Sequence, residues 1–183
     1  MTTARPGGVA CLLAAALLAA GCTQRPHAPV LRNEAVYQNA QEGFRFLPPE
    51  GWAMHTRTNL PPGPLDKEHV LVAYRKIQPG ASRPAAFEVS CADLPESADL
   101  TAHLSAGKGK WRAVKPPEPV SAGNAQGVRI TLTGRAGNEP VQKEVVAVRR
   151  GGRVYFFALI AAPNDTAARE PARQAVGSLL WKE

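Results

Sequence analysis

The chain has 183 residues, with 22 Lys and Arg against 15 Asp and Glu, a formal charge of +7 and a pI near 9.7. That length accommodates one domain of ordinary size rather than several. Of the three cysteines, Cys11 and Cys22 stand near the N-terminus and only Cys91 lies in the body of the chain, which therefore offers it no cysteine partner.

Residues 1–21 are laid out as a secretory signal: Arg5, an apolar segment from Val9 to Ala20, then small residues running into Cys22. The apolar stretch is roughly a dozen residues, against the ~20 that a spanning helix needs. The sequence Leu18-Ala19-Ala20-Gly21-Cys22 resembles a bacterial lipoprotein lipobox, although Ala19 stands where Leu is usual. The resemblance implies that Cys22 is acylated, with palmitate-type chains, and becomes the first mature residue; the alternative is an ordinary cleaved signal with a chance cysteine. Thr23 stands where an Asp commonly marks retention at the inner membrane, so the outer membrane is favoured. The expected address is the bacterial cell envelope, with the domain outside the cytoplasm.

Residues 22–36 are polar, Pro-bearing and aperiodic, and read as a tether. The folded domain is expected over 37–183, about 147 residues, enough to bury a core. Phe44 and Phe46 alternate inward in a first strand, Pro48-Pro49-Glu50-Gly51 turns the chain, and a second strand runs from Trp52 to about Thr58. The Pro-rich segment 59–66 is a loop. "HVLVAYRK" and "AAFEVSCAD" are rich in branched and aromatic residues and predict strands. A helix is predicted after Ser97 as N-cap, with Leu100 and Leu104 on one face and Gly107 or Gly109 at its end. "KPPEPV" reads as an extended connector. "GVRITLTG" alternates, and "VQKEVVAVRR" and "RVYFFALIAA" flank Gly151-Gly152 as a hairpin whose second strand is apolar on both faces. Asn164 or Asp165 can cap a closing helix whose main body is expected to begin at Pro171, with Ala175, Leu179 and Val176 toward the sheet. The order of elements predicts an α+β fold, an antiparallel β-sheet flanked by helices.

The domain surface is expected to be basic at Lys108, Lys110, Trp111 and at Arg149, Arg150, Arg153. These residues are candidate contacts for anionic lipid or for a membrane-associated protein complex. An exported chain does not meet the genome, so nucleic acid is not an expected partner. No catalytic residue, metal ligand set or cofactor motif is found. His27, His55, His69 and His103 lack ligand-like spacing, no Gly-x-Ser-x-Gly elbow exists, and Cys91 reads as a buried, inert side chain on a strand face.

"YQNAQEGFRFLPPEGW", with Tyr37, Asn39, Gly43, Phe44, Phe46, Pro49, Gly51 and Trp52, resembles the opening of PsbP-like domains, a group that includes the DcrB-like bacterial lipoproteins. "GGRVYFFAL", followed by a helix and Ser178, matches a second region of that family, which usually has Ser-Phe where this chain has Ser178-Leu179. The resemblance implies a PsbP-like α/β/α sandwich in a non-catalytic accessory or binding protein. The expected function is that of a lipid-anchored envelope binding module. The alternative is a carrier or sensor of a small apolar ligand or lipid held between sheet and helix.

Overall fold

The computed structural model describes residues 36–76, 84–106 and 111–182, and these belong to one compact unit, Ala35–Glu183. Two antiparallel sheets and two helices make up the fold. A small sheet has the order β1-β2-β11, formed by β1 (Tyr37–Asn39), β2 (Phe44–Phe46) and β11 (Leu180–Trp181). The large sheet runs β3-β4-β5-β10-β9-β8-β6, with β7 also paired to β8. Its members are β3 (Ala53–Arg57), β4 (His69–Arg75), β5 (Ala86–Asp93), β6 (Arg112–Ala113), β7 (Glu118–Ala122), β8 (Ala125–Ala136), β9 (Glu139–Arg150) and β10 (Arg153–Ala161). The helices are α1 (Leu100–Ser105) and α2 (Thr166–Gly177).

β10 is central because its side chains are apolar on both faces. It pairs with β5 on one side and β9 on the other, Phe157 opposite Val89 and Val146, and Phe156 opposite Ser90 and Ala147. Two cores follow from this alternation. On one face Tyr155, Phe157 and Leu159 pack with Phe87, Val89 and Cys91, covered by Tyr37, Phe44, Phe46 and Trp181 of the small sheet and by Ala168, Ala172, Ala175 and Val176 of α2. On the other face Val154, Phe156 and Ala158 pack with Ile130, Leu132 and Val145 beneath Leu104 of α1. The rings of Phe44 and Phe46 meet Phe157 edge-on at 6.1 Å, the quadrupole-favoured arrangement.

Sheet therefore dominates over helix, and the face expected to lie under helix alone is shared between α2 and a second sheet. Several sequence expectations shift with it. α1 is capped by Asp99 rather than Ser97: its carboxylate accepts from the backbone N–H groups of Thr101 and Ala102, two of the donors a helix start leaves open. α1 ends at Ser105 with Ala106 as its C-cap, and Gly107 and Gly109, expected at its end, lie outside the described residues. α2 starts at Thr166, capped by Asp165, so Pro171 stands inside it rather than in its first turn. Leu179 is fully buried but lies beyond the helix. The second half of the expected connector, Glu118 to Val120, opens a strand, Glu118–Ala122, that runs along β8. Among the described residues no helix is long and apolar enough to cross a membrane.

Candidate functional site

Cys22, Lys108 and Lys110 lie outside the described residues. The structure gives the other sequence-selected side chains intramolecular work. Trp111 is half-buried against the core under α1, with the Lys143 ammonium 5.9 Å from its ring centroid. The Arg149 guanidinium donates to the carbonyls of Pro95 and Ala98 at 3.0 and 2.9 Å and holds the approach to α1. Arg150 lies over the Trp181 ring at 5.2 Å and donates to the Lys182 carbonyl. Arg153 reaches Asp93 at 2.6 Å and both carboxylate oxygens of Glu42 at 3.0 Å. Tyr155 donates its hydroxyl proton to the same Glu42, and Asp93 also accepts from the Leu65 N–H at 2.7 Å. The hydrogen bond from Arg153, then that from Leu65, holds the Asp93 carboxyl below its ordinary range. This end of the β9–β10 hairpin is thus an ionic clasp tying β10 to the β1–β2 turn and to β5.

Ser90, Glu68 and His103 converge without forming a nucleophilic triad. Ser90 Oγ donates to Glu68 Oε1 at 2.5 Å, and His103 Nε2 lies 3.8 Å from Glu68 Oε2. Activating a serine requires the imidazole between hydroxyl and carboxylate; here the carboxylate is in the middle, and Ser90 is buried. Burial pushes the Cys91 thiol up to about 12, which keeps it protonated at neutral pH. Among the described residues, no group of three His, Cys, Asp or Glu is arranged to hold a metal.

A charged groove of about 490 Å³ lies between α2 and the β8–β9 hairpin. Thr131 faces Glu144 across the β8–β9 ladder, and Arg129 lies one pleat along the same face, opposite Val146. Glu144 is buried there, 8 % exposed. Arg173 of α2 grips it in bidentate fashion, Nε at 3.0 Å and Nη2 at 2.9 Å. One turn earlier on α2, Arg169 donates to Gln142 at 2.7 Å and to the Pro163 carbonyl. Arg129 Nε stands 3.5 Å from Glu144 Oε1, close enough for ionic attraction, yet it is buried with no hydrogen-bond acceptor. Burial alone would raise the Glu144 carboxyl, but the Arg173 hydrogen bond and the charges of Arg173, Arg129 and Arg169 outweigh it and bring the pKa below the ordinary value. Four cations line the groove (Lys115, Arg129, Arg169, Arg173) against two carboxylates, Glu144 and Glu170.

The groove narrows toward the sheet into a cavity of about 60 Å³ among Phe87, Val146, Phe157, Leu159, Ala172 and Val176. Small-molecule pockets run to roughly 300–1,000 Å³, so this space between sheet and helix has room for waters rather than for a lipid. Sequence reading missed the groove because its cations come from separate elements rather than one basic run. The spacing of Arg169 and Arg173, four apart on one helix face, was the available signal.

No family model matches the chain, and no curated protein matches it significantly. Solved structures do. Cyanobacterial PsbP (CyanoP) from Synechocystis sp. PCC 6803 superposes with a TM-score of 0.53 at 15 % identity, covering 80 % of this chain and 91 % of that one. LpqN of Mycobacterium tuberculosis, described as involved in cell envelope biogenesis, gives 0.55 at 12 % identity over 81 % and 90 %. PA94 of Pseudomonas aeruginosa, a protein of unknown function, gives 0.52 at 14 % identity over 72 % and 98 %. At these identities the likeness concerns architecture, and the chain has a PsbP-like fold.

Proposed function

We propose that this protein is a lipid-anchored, extracytoplasmic accessory module of the bacterial cell envelope, of the DcrB-like lipoprotein kind, that works by binding rather than by catalysis. The anchor would be acylated Cys22, and the membrane it decorates the outer one. Tethering by acyl chains would confine the domain near the bilayer and raise its effective concentration for membrane-associated partners. In this reading the large sheet, covered by α1 on one face and by α2 with the small sheet on the other, serves as a scaffold for surfaces.

The observation that carries the binding reading is the groove beside α2. It is open, its cations outnumber its carboxylates, and it holds one buried guanidinium N–H, Arg129 Nε, with no acceptor. An unpaired buried donor is stabilised by an incoming acceptor, so an acidic side chain of a partner protein suits the site. The carrier reading, a small apolar ligand between sheet and α2, has only the 60 Å³ cavity to draw on and ranks second.

Cross-linking of the acylated protein in its native envelope, read by mass spectrometry, tests the reading. The expected result is a reproducible protein partner linked through Lys115 and an N-terminal peptide beginning at diacylated Cys22. An N-terminus elsewhere would overturn the anchor, and capture of lipid alone would overturn the partner reading in favour of the carrier.

A further inference from the structure

The small sheet has two unlike faces. Tyr37, Phe44, Phe46 and Trp181 point into the core. The pleat puts Gln38, Arg45 and Leu180 on the opposite side, in register across three strands: Gln38 faces Arg45, and Arg45 faces Leu180. One residue beyond the ladder on that same side stand Val36 and Leu47. All three of these apolar side chains are open to solvent, Val36 at 52 %, Leu47 at 40 % and Leu180 at 44 %. They are three of the five large hydrophobic residues exposed among the described residues. The cations are Arg45 and, two residues after Leu180, Lys182, both exposed. None of the three strands contains an acidic residue, and Glu42, in the β1–β2 turn, is turned inward onto Arg153 and Tyr155. A depression of about 340 Å³ runs over this side between Arg45, Leu180 and Lys182.

We infer that this outer face of the small sheet is the surface on which the domain rests against an anionic lipid bilayer. Resting on the anchoring proposed above, the inference specifies which way the anchored domain faces. The chain itself gives the first argument. It enters the fold at Val36, on this face, only 14 residues after Cys22, a span of about 50 Å fully extended and about 20 Å as a free coil. The second argument is chemical. Exposed aliphatic groups interleaved with cations, on three strands that carry no carboxylate, match a layer whose phosphates lie just outside its acyl chains. The ammonium and guanidinium reach phosphate while Val36, Leu47 and Leu180 enter the apolar boundary. The groove beside α2 is lined by other elements and stays available to a partner.

Quenching by membrane-bound nitroxide tests the orientation. The acylated full-length protein carries a single thiol-linked fluorophore at Leu47→Cys, Leu180→Cys or Ala102→Cys, the last on α1, which packs on the opposite face of the large sheet. Cys91 is fully buried and escapes labelling. Each protein is reconstituted in phosphatidylethanolamine–phosphatidylglycerol vesicles containing a nitroxide lipid. Positions 47 and 180 should be quenched several-fold more strongly than position 102, and the contrast should shrink in Arg45→Glu/Lys182→Glu or with uncharged phosphatidylcholine. Equal quenching at the three positions in protein that floats with the vesicles would overturn the inference and leave the anchor intact. Burial of labels 47 and 180 without quenching would mean that protein covers the face, and would also overturn it. Protein that carries no acyl group and fails to float would sink anchor and face together.

Discussion

Lys76 Nζ donates to the carbonyl oxygen of Ala167 at 3.0 Å, and Ala167 is the residue four before Pro171. In an unbroken helix that carbonyl would accept the N–H of residue 171, but proline has none and its ring pushes the carbonyl outward. The ammonium of Lys76, at the end of β4, supplies the missing donor and links the large sheet to α2. Pro171→Ala restores the helical donor, so the protein should become more stable, and Lys76→Ala should then cost less than it does in the parent. A net hydrogen bond is worth ~0.5–1.5 kcal/mol. A coupling of about that size in a double-mutant cycle of urea midpoints is the expected outcome.

Gly123 sits in the β7–β8 turn at φ +59°, and a Cβ built there would come within 1.5 Å of the Leu179 carbonyl oxygen. Its neighbour Asn124 clamps β11 from the side, accepting from the Trp181 N–H at 3.0 Å and donating to the Trp181 carbonyl at 3.2 Å. Gly123→Ala should therefore separate the turn from the chain end as well as strain the backbone, with a loss of about 3 kcal/mol or more. Gly151, at φ +60°, has open space around it, so Gly151→Ala should lose only about 1–2 kcal/mol. Equal thermal shifts for the two variants would contradict the contact.

These two relationships also mark where sequence reading stops. The long strands were legible, because Phe87, Val89 and Cys91, or Val128, Ile130 and Leu132, repeat with period two and identify a buried face. β1 and β11, of three and two residues, are too short to carry a period. They exist because Tyr37 and Trp181 gain burial against Phe44, a pairing across most of the chain's length. Pro171 misled for a related reason: local preference puts proline in a first turn, and a donor 95 residues upstream made the sixth position tolerable. The Arg169–Arg173 spacing marked only one wall of the groove; the other needs the β8–β9 register, which brings Thr131 opposite Glu144.

Acid should act on the fold through Glu144 and Asp93. Both carboxyls have folded-state pKa values below their ordinary ones, so their stabilisation is complete above the unfolded value of about 4 and is lost as pH falls through the folded value. The part of the urea midpoint that these two groups supply should hold between pH 5 and 7 and drop steeply below about pH 4. Glu144→Gln should be less stable at pH 7 and show a shallower acid limb. Arg173→Ala leaves a buried carboxylate with the Arg129 ion pair and the charge of Arg169; with Arg173 itself 48 % exposed, a loss of about 2 kcal/mol is expected, between exposed and buried pairs.

Glu88 works in the opposite sense. It lies on β5 between Ala73 and Ala158 of the flanking strands. Burial, followed by the charge of Glu68, raises its pKa, while Lys143 and Arg75 offset only part of the rise. A carboxyl raised in the folded state binds its proton more tightly there than in the unfolded chain. The stability it contributes is present below the unfolded value and is lost as pH climbs through the folded one. At neutral pH the ionised group is therefore a burden on the fold. Glu88→Gln keeps the shape and removes the charge, so it should raise Tm at pH 7 relative to the parent, with the difference closing as pH is lowered to about 4. An unchanged Tm at pH 7 would mean that solvent reaches Glu88 well enough to carry its charge, and would place the unfavourable contact with Glu68 outside the fold's energetics.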